Sequence, residues 1–265
     1  MSKAIVVTSG KGGVGKTTCT ANLGVALALQ GHSVVVVDAD IGLRNLDVVL
    51  GMEDRITYTI VDIFDGKCRI KQALIRDKRF PKLCLIAAAQ NTDKSVIKAA
   101  QMVKLVEELK VSFEFVLIDC PAGIESGFHN AVAGADEAII VTTPEVSAVR
   151  DADRIISILR EMGHAEPKLV LNKIRPEMVR RGEMMDMKDV LEILDIQLIG
   201  IIPEQGDIVI ASNRGEPVSA IESSLTGQAY NNIAQRVLGK EVPFLDLAKR
   251  DGLFARLAGL LKSGI

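Results

Sequence analysis

Near its N-terminus the chain reads Ser9-Gly10-Lys11-Gly12-Gly13-Val14-Gly15-Lys16-Thr17-Thr18. Residues 10–17 satisfy the spacing G-x-x-x-x-G-K-S/T, a loop suited to holding the phosphates of a nucleotide. Glycines let the backbone come close to anionic oxygens, and the amides of the loop and of a following helix point at them. Within Gly10–Thr18, the expected phosphate-binding stretch, Lys16 reaches the β- and γ-phosphates and Thr17 offers its hydroxyl to Mg²⁺. Lys11 has no role in that pattern. It lies too early to fold onto the same phosphates. It reads either as a solvated lysine or as a cation reaching a neighbouring subunit's transition state, as an arginine finger does.

A metal-bound triphosphate also needs carboxylates. Val116-Leu117-Ile118-Asp119 is an apolar run ending in an acid, the form of a Walker B aspartate. Gly123 follows closely, where a backbone amide can turn toward the γ-phosphate. Asp38-Ala39-Asp40 ends another apolar run, at the edge where open α/β sheets bind ligands. Strand alternation puts both acids on one side. One can support hydrated Mg²⁺ while the other orients the attacking water. A strand-end aspartate also serves as a cap or turn former, but three such acids at strand ends around one glycine loop favour the metal reading.

These residues need a sheet to bring them together. Short apolar runs suit strands at Ala4–Thr8, Ser33–Val37, Leu83–Ala87, Phe115–Ile118, Ala138–Thr142, Lys168–Leu171 and Leu198–Ile202. They are almost continuously hydrophobic, as parallel strands covered on both faces are. Helical patterns lie between them at Thr17–Gln30, Ser95–Leu109, Ala148–Met162, Lys188–Leu194 and Ser224–Leu238. The expected architecture is a doubly wound, mostly parallel α/β sheet with helices on both faces. One domain spans residues 1–238, with a Pro243-containing link over 239–249.

Composition narrows the function. A net charge of −2 offers no basic field for nucleic acid. No run approaches the roughly 20 apolar residues that cross a bilayer, and no targeting peptide is expected. Cys19, Cys68, Cys84 and Cys120 have no metal-site spacing and read as reduced thiols.

The glycine loop has the deviant Walker A form K-G-G-x-G-K-S/T. Together with "DADIGLRNLDVVLG", "QALIRDKR", "DCPAGIESG" and "ASNRGEPV", it makes the chain similar along its length to the P-loop family of MinD, ParA and the nitrogenase iron protein. The Ile41–Asp47 run and Glu145–Arg154 resemble the MinD branch. The resemblance implies a Mg²⁺-dependent ATPase whose two ATP-bound subunits form a face-to-face homodimer. Lys11 would cross to the partner's phosphates, and Asp151 would be its resting partner. Asp40 would be the base-like residue, leaving Thr17, Asp38 and Asp119 for the metal. Asn172 and Pro203 match the positions that frame adenine. The same resemblance implies recruitment of MinC, which antagonises FtsZ assembly, and release when MinE stimulates hydrolysis. The protein is then expected to be cytoplasmic and peripheral on the inner membrane face, or its plastid equivalent.

The last segment, residues 250–265, projects as an amphipathic helix with Leu253, Phe254, Leu257, Leu260, Leu261 and Ile265 on one arc. Arg256 and Lys262 flank that arc, which suits an anionic membrane surface. A terminal helix folded on its own domain would look similar, but the link before it and the family's habit favour membrane targeting. A ParA-type DNA-partition ATPase is the alternative; it would carry basic residues on the dimer face and no lipid-seeking tail. An iron–sulfur carrier would need a second cysteine near Cys120, and a ligase would need a further substrate site; neither is visible.

Overall fold

Each apolar run becomes a strand because its β-branched side chains can be covered on both sides of a sheet. The computed structural model describes residues 2–90, 97–164, 166–245 and 247. Its strands are β1 (Lys3–Thr8), β2 (Val34–Asp38), β3 (Ile75–Arg76), β4 (Leu83–Ile86), β5 (Phe115–Asp119), β6 (Glu137–Thr142), β7 (Lys168–Ile174) and β8 (Gln197–Pro203). They form one sheet in the order β3-β4-β2-β5-β1-β6-β7-β8. All pairs are parallel except β3–β4. The seven predicted strands are thus present. The two-residue edge strand β3 has too short a pattern to be read in advance.

Alternation divides the core into two layers. Ala4, Val6, Val35, Val37, Val116 and Ile118 face one side. There they meet α5 (Ala99–Lys110), α6 (Ser126–Val132), α7 (Val146–Glu161) and α9 (Met187–Leu194). Ile5, Val7, Val34, Val36 and Leu117 face the other, under α1 (Lys16–Leu29) and α11 (Leu225–Val237). Helix α1 carries Gly24 against the sheet, where a Cβ would lie 2.7 Å from Val36 Cγ1. The strong helical patterns are all borne out, although Ser95, the expected start of α5, is outside the described residues.

Shorter helices were not legible: α2 (Leu46–Val49), α3 (Ile60–Phe64), α4 (Ile70–Ala73), α8 (Pro176–Arg180) and α10 (Gly206–Asn213). Helix α10 opens on glycine and contains Ile208-Val209-Ile210, a run whose period resembles a strand. No helix among the described residues is long and apolar enough to cross a membrane.

The predicted link begins as a strap. The Arg236 guanidinium donates to Val242 O and Ile199 O and lies 4.1 Å from the Phe244 ring centre. The predicted membrane helix, with Leu253, Phe254, Leu257, Leu260 and Leu261, lies outside the described residues.

Candidate functional site

Parallel pairing places the ends of β1, β2 and β5 side by side. Val7 and Asp38 both pair with Asp119, so two acids meet at the carboxyl edge of the sheet. The chain after β1 turns over this edge through Gly13 (φ 78°) and Gly15 (φ 96°), then enters α1. Both glycines adopt left-handed backbone that other residues rarely take.

The floor beneath this loop is buried. Lys16 Nζ donates to Asp119 Oδ1 at 2.9 Å, and Thr20 Oγ1 donates to the same oxygen at 3.3 Å. Asp38 accepts from the Asp40 amide at 3.0 Å and from the Leu46 amide at 3.3 Å. Burial works against the Lys16 charge, but Asp119 outweighs it and holds the ammonium above its ordinary range. Burial also pushes Asp119 upward, although Lys16 and Thr17 pull it back. One lysine cannot neutralise two adjacent carboxylates. Burial, reinforced by the Asp119 charge, pushes Asp38 up to about 8.

This arrangement fits a hard cation. Asp119 Oδ2 is buried without a hydrogen-bond partner among the described residues. Asp38 lies beside it, and Thr17 contributes a hydroxyl. An all-oxygen set of this kind suits Mg²⁺. The nearby thiols do not compete: burial raises Cys19 and Cys120 to about 12.

The loop opens into a cleft of about 500 Å³. Its lining includes Lys11 to Thr18, Asp40, Leu43, Asn45 and Lys173, with Ile208, Val209, Ser212 and Asn213 of α10. Asp40 thus reaches the cleft while Asp38 stays below it. Gly123 (φ 90°) lies beside the loop, but its amide donates to Ser9 O at 3.3 Å rather than turning toward the phosphate position.

Two predicted adenine-framing residues sit differently. Asn172 is buried, and its Nδ2 donates to Val14 O at 2.8 Å. Pro203 ends β8 opposite Ile174. Neither lines the cleft. The next residue, Lys173, is a functional candidate that the sequence did not single out. Its Nζ donates to Gly13 O at 2.7 Å, and its backbone has φ 56°. In a trans peptide the C=O and N–H point oppositely. Gripping the Gly13 and Val14 carbonyls from one side therefore turns the Val14 and Gly15 amides toward the other, where phosphate oxygens would lie. The available signal was a polar pair interrupting the apolar strand Lys168–Ile174.

Lys11 is half-exposed at the mouth of the loop. It donates to Ser147 Oγ at 3.2 Å and pairs with Glu145 at 3.8 Å. The expected resting partner, Asp151, is not the one it uses. The Asp151 backbone instead packs beneath Gly10, where a Cβ would come within 2.4 Å of the Asp151 carbonyl carbon. That contact explains the glycine and directs Lys11 to the start of α7.

Residues 5–218 match the family model described as the CobQ/CobB/MinD/ParA nucleotide binding domain. The septum site-determining protein MinD of Synechocystis sp. is 53% identical over 266 residues, with both chains fully covered. The MinC:MinD cell division protein complex of Aquifex aeolicus holds a chain 47% identical, with TM-score 0.85 and coverage of 91% of this chain and 98% of that one. MinD of Pyrococcus horikoshii, solved with Mg-ADP, is 31% identical, with TM-score 0.82 and coverage of 89% and 96%.

Proposed function

Because the chain belongs to the CobQ/CobB/MinD/ParA nucleotide-binding family, and within it to the septum-site-determining MinD proteins, we propose that it is an ATP-driven membrane switch. The observation that carries this reading is the pair of lysines: Lys16 buried on Asp119, and Lys11 at the mouth of the same loop. The first serves the chain's own nucleotide. The second is placed for a partner's.

ATP binds with its phosphates over Gly10–Thr18 and its base along the cleft wall that α10 supplies through Ile208, Val209 and Ser212. Thr17, Asp38 and Asp119 would hold Mg²⁺, which when bound would supply charge neutralisation to the phosphates. Lys16 exchanges Asp119 for the phosphates. Asp40 orients the water that attacks the γ-phosphorus, giving ADP and phosphate. Lys11 leaves Glu145 and Ser147 to stabilise charge on the opposite subunit's transition state. The MinC:MinD complex of a relative supports MinC as a partner, which the ATP-bound dimer would recruit. MinE-stimulated hydrolysis would then reverse assembly.

Membrane residence follows from dimerisation. One short amphipathic tail gains little net free energy, because burying a large apolar side chain contributes about 1.5–3 kcal/mol and ordering each residue costs about 1–2 kcal/mol. Two tails on one dimer act at a shared effective concentration. Sedimentation with anionic liposomes tests this. We expect pelleting with ATP but not with ADP, and none after deletion of residues 250–265, which should still dimerise. Equal pelleting of the truncated dimer removes the tail's role, and equal pelleting in both nucleotides removes the ATP gate.

A further inference from the structure

Three family-like stretches that the phosphate site does not use meet on its outer side. They are the end of Asp38–Gly51, the segment Asp77-Lys78-Arg79, and Asn213-Arg214-Gly215. The Arg79 guanidinium donates through Nη1 to Gly215 O at 2.7 Å and through Nη2 to Leu50 O. Asp77, only 2% exposed, grips it from behind, with Nη2 at 2.9 Å and Nε at 3.3 Å. Asp77 also accepts from the amides of Arg79 (2.7 Å) and Phe80 (3.3 Å), so the guanidinium rests on a fixed base.

Leu50 caps the C-terminal end of α2, and Gly215 follows the C-cap of α10. One cation therefore satisfies carbonyls at two helix ends, where positive charge is favoured. The two ends also touch. Gly51 and Gly215 both have φ 61°, and a Cβ on Gly215 would fall 2.5 Å from Gly51 Cα. Only bare backbone fits between them.

Both helices reach the cleft, α2 through its N-cap residue Asn45. Helix α10 supplies Ile208, Val209 and Ser212 to its wall. At the other end of α2, the Leu46 amide donates to the metal-site acid Asp38. We propose that Arg79 is a positioning residue that clamps the base-side wall to the segment carrying Asp38 and Asp40. The planar fork of arginine reaches two carbonyls and a carboxylate together, which a lysine cannot do. This inference rests on the nucleotide reading of the cleft.

The test compares Mg-ADP and Mg-pyrophosphate binding by calorimetry to the full chain, below the melting temperature of each variant. Pyrophosphate fills the glycine loop without a base to meet α10. Arg79→Ala should weaken Mg-ADP roughly tenfold or more, the effect of losing charged hydrogen bonds. Pyrophosphate binding should stay within about twofold, and millimolar guanidinium should restore part of the ADP affinity. Arg79→Lys should fall between wild type and Arg79→Ala, and decides the matter if the alanine variant does not fold. Unchanged ADP affinity in the folded variants overturns the clamp. So does an equal loss for ADP and pyrophosphate, the mark of a merely structural role. Equal Mg-ADP binding by wild type and Lys16→Ala overturns the nucleotide reading itself, and the clamp with it.

Discussion

The floor of the cleft and its mouth are built on opposite terms. On the floor, Lys16, Asp38, Asp119 and Thr20 are all buried; Lys16 and Thr20 donate to Asp119, and Asp38 accepts from the Asp40 and Leu46 amides. At the mouth, half-exposed Lys11 holds a long pair with exposed Glu145 and a hydrogen bond to Ser147, and large apolar side chains face outward. Leu43 is 58% exposed, Val146 62% and Val209 61%. A buried charge network must be completed within the fold, since an unpaired charge there costs several kcal/mol. An exposed apolar rim around a weakly held cation has the opposite character: it suits completion by another surface. In the proposed dimer, one chain would make the phosphate floor and a second would finish the mouth.

Substitutions at the two lysines separate these regions, and the floor should give the larger effect. Lys16→Ala leaves two adjacent buried acids facing the phosphates with no ammonium between them. Mg-ATP binding should fall by at least about a hundredfold, the scale of losing a buried charged partner, as read by calorimetry. Retained binding would mean that the loop amides alone hold the phosphates. Lys11→Ala should leave ATP affinity within about threefold while abolishing ATP-dependent dimerisation and stimulated hydrolysis. Light scattering and phosphate release measure these two properties. Wild-type hydrolysis by Lys11→Ala would sink the trans-acting role and leave a solvated lysine.

Lys173 lies between the two regions and should give an intermediate effect. Lys173→Ala frees the Gly13 carbonyl but keeps Lys11 and Lys16 at the cleft. We expect roughly tenfold weaker Mg-ADP binding, the scale of one charge-assisted hydrogen bond, with little change in melting temperature. Unaltered affinity would show that the loop holds its shape without this grip. Lys173 also marks the limit of sequence reading. The phosphate loop, the strand-end acids and the sheet were legible because fixed spacing and apolar runs encode them locally. The hold of Asn172 and Lys173 on the loop spans 158 and 160 residues, and is created only when β7 comes near β1. Helix α10 was illegible for another reason: Val209 and Ile210 are exposed apolar residues on it, so no amphipathic period marks it. The exchange of Asp151 for Glu145 is likewise tertiary, decided by backbone packing under Gly10.

The smallest effect concerns the strain of charge on the floor itself. Burial and the Asp119 carboxylate raise Asp38 to about 8, while Lys16 is engaged by Asp119 and Asp40 lies nearby at the cleft. A carboxyl whose pKa is higher in the fold than in the unfolded chain keeps its proton on folding. Its contribution is therefore fully present below the unfolded value near 4 and is lost as pH rises toward about 8. Asn at this position mimics the protonated form. In EDTA and without nucleotide, Asp38→Asn should melt close to wild type at about pH 5, where the carboxyl already carries its proton. The gap should widen at higher pH, with the variant roughly 2–5 °C above wild type by about pH 8.5. The same variant should bind Mg²⁺ with nucleotide more weakly, because stability and metal binding compete for this charge. Melting temperatures followed by circular dichroism across that range decide the point. A gap that does not change with pH would mean Asp38 is ionised throughout, and the floor would then carry its two negative charges without the strain that distinguishes it from the mouth.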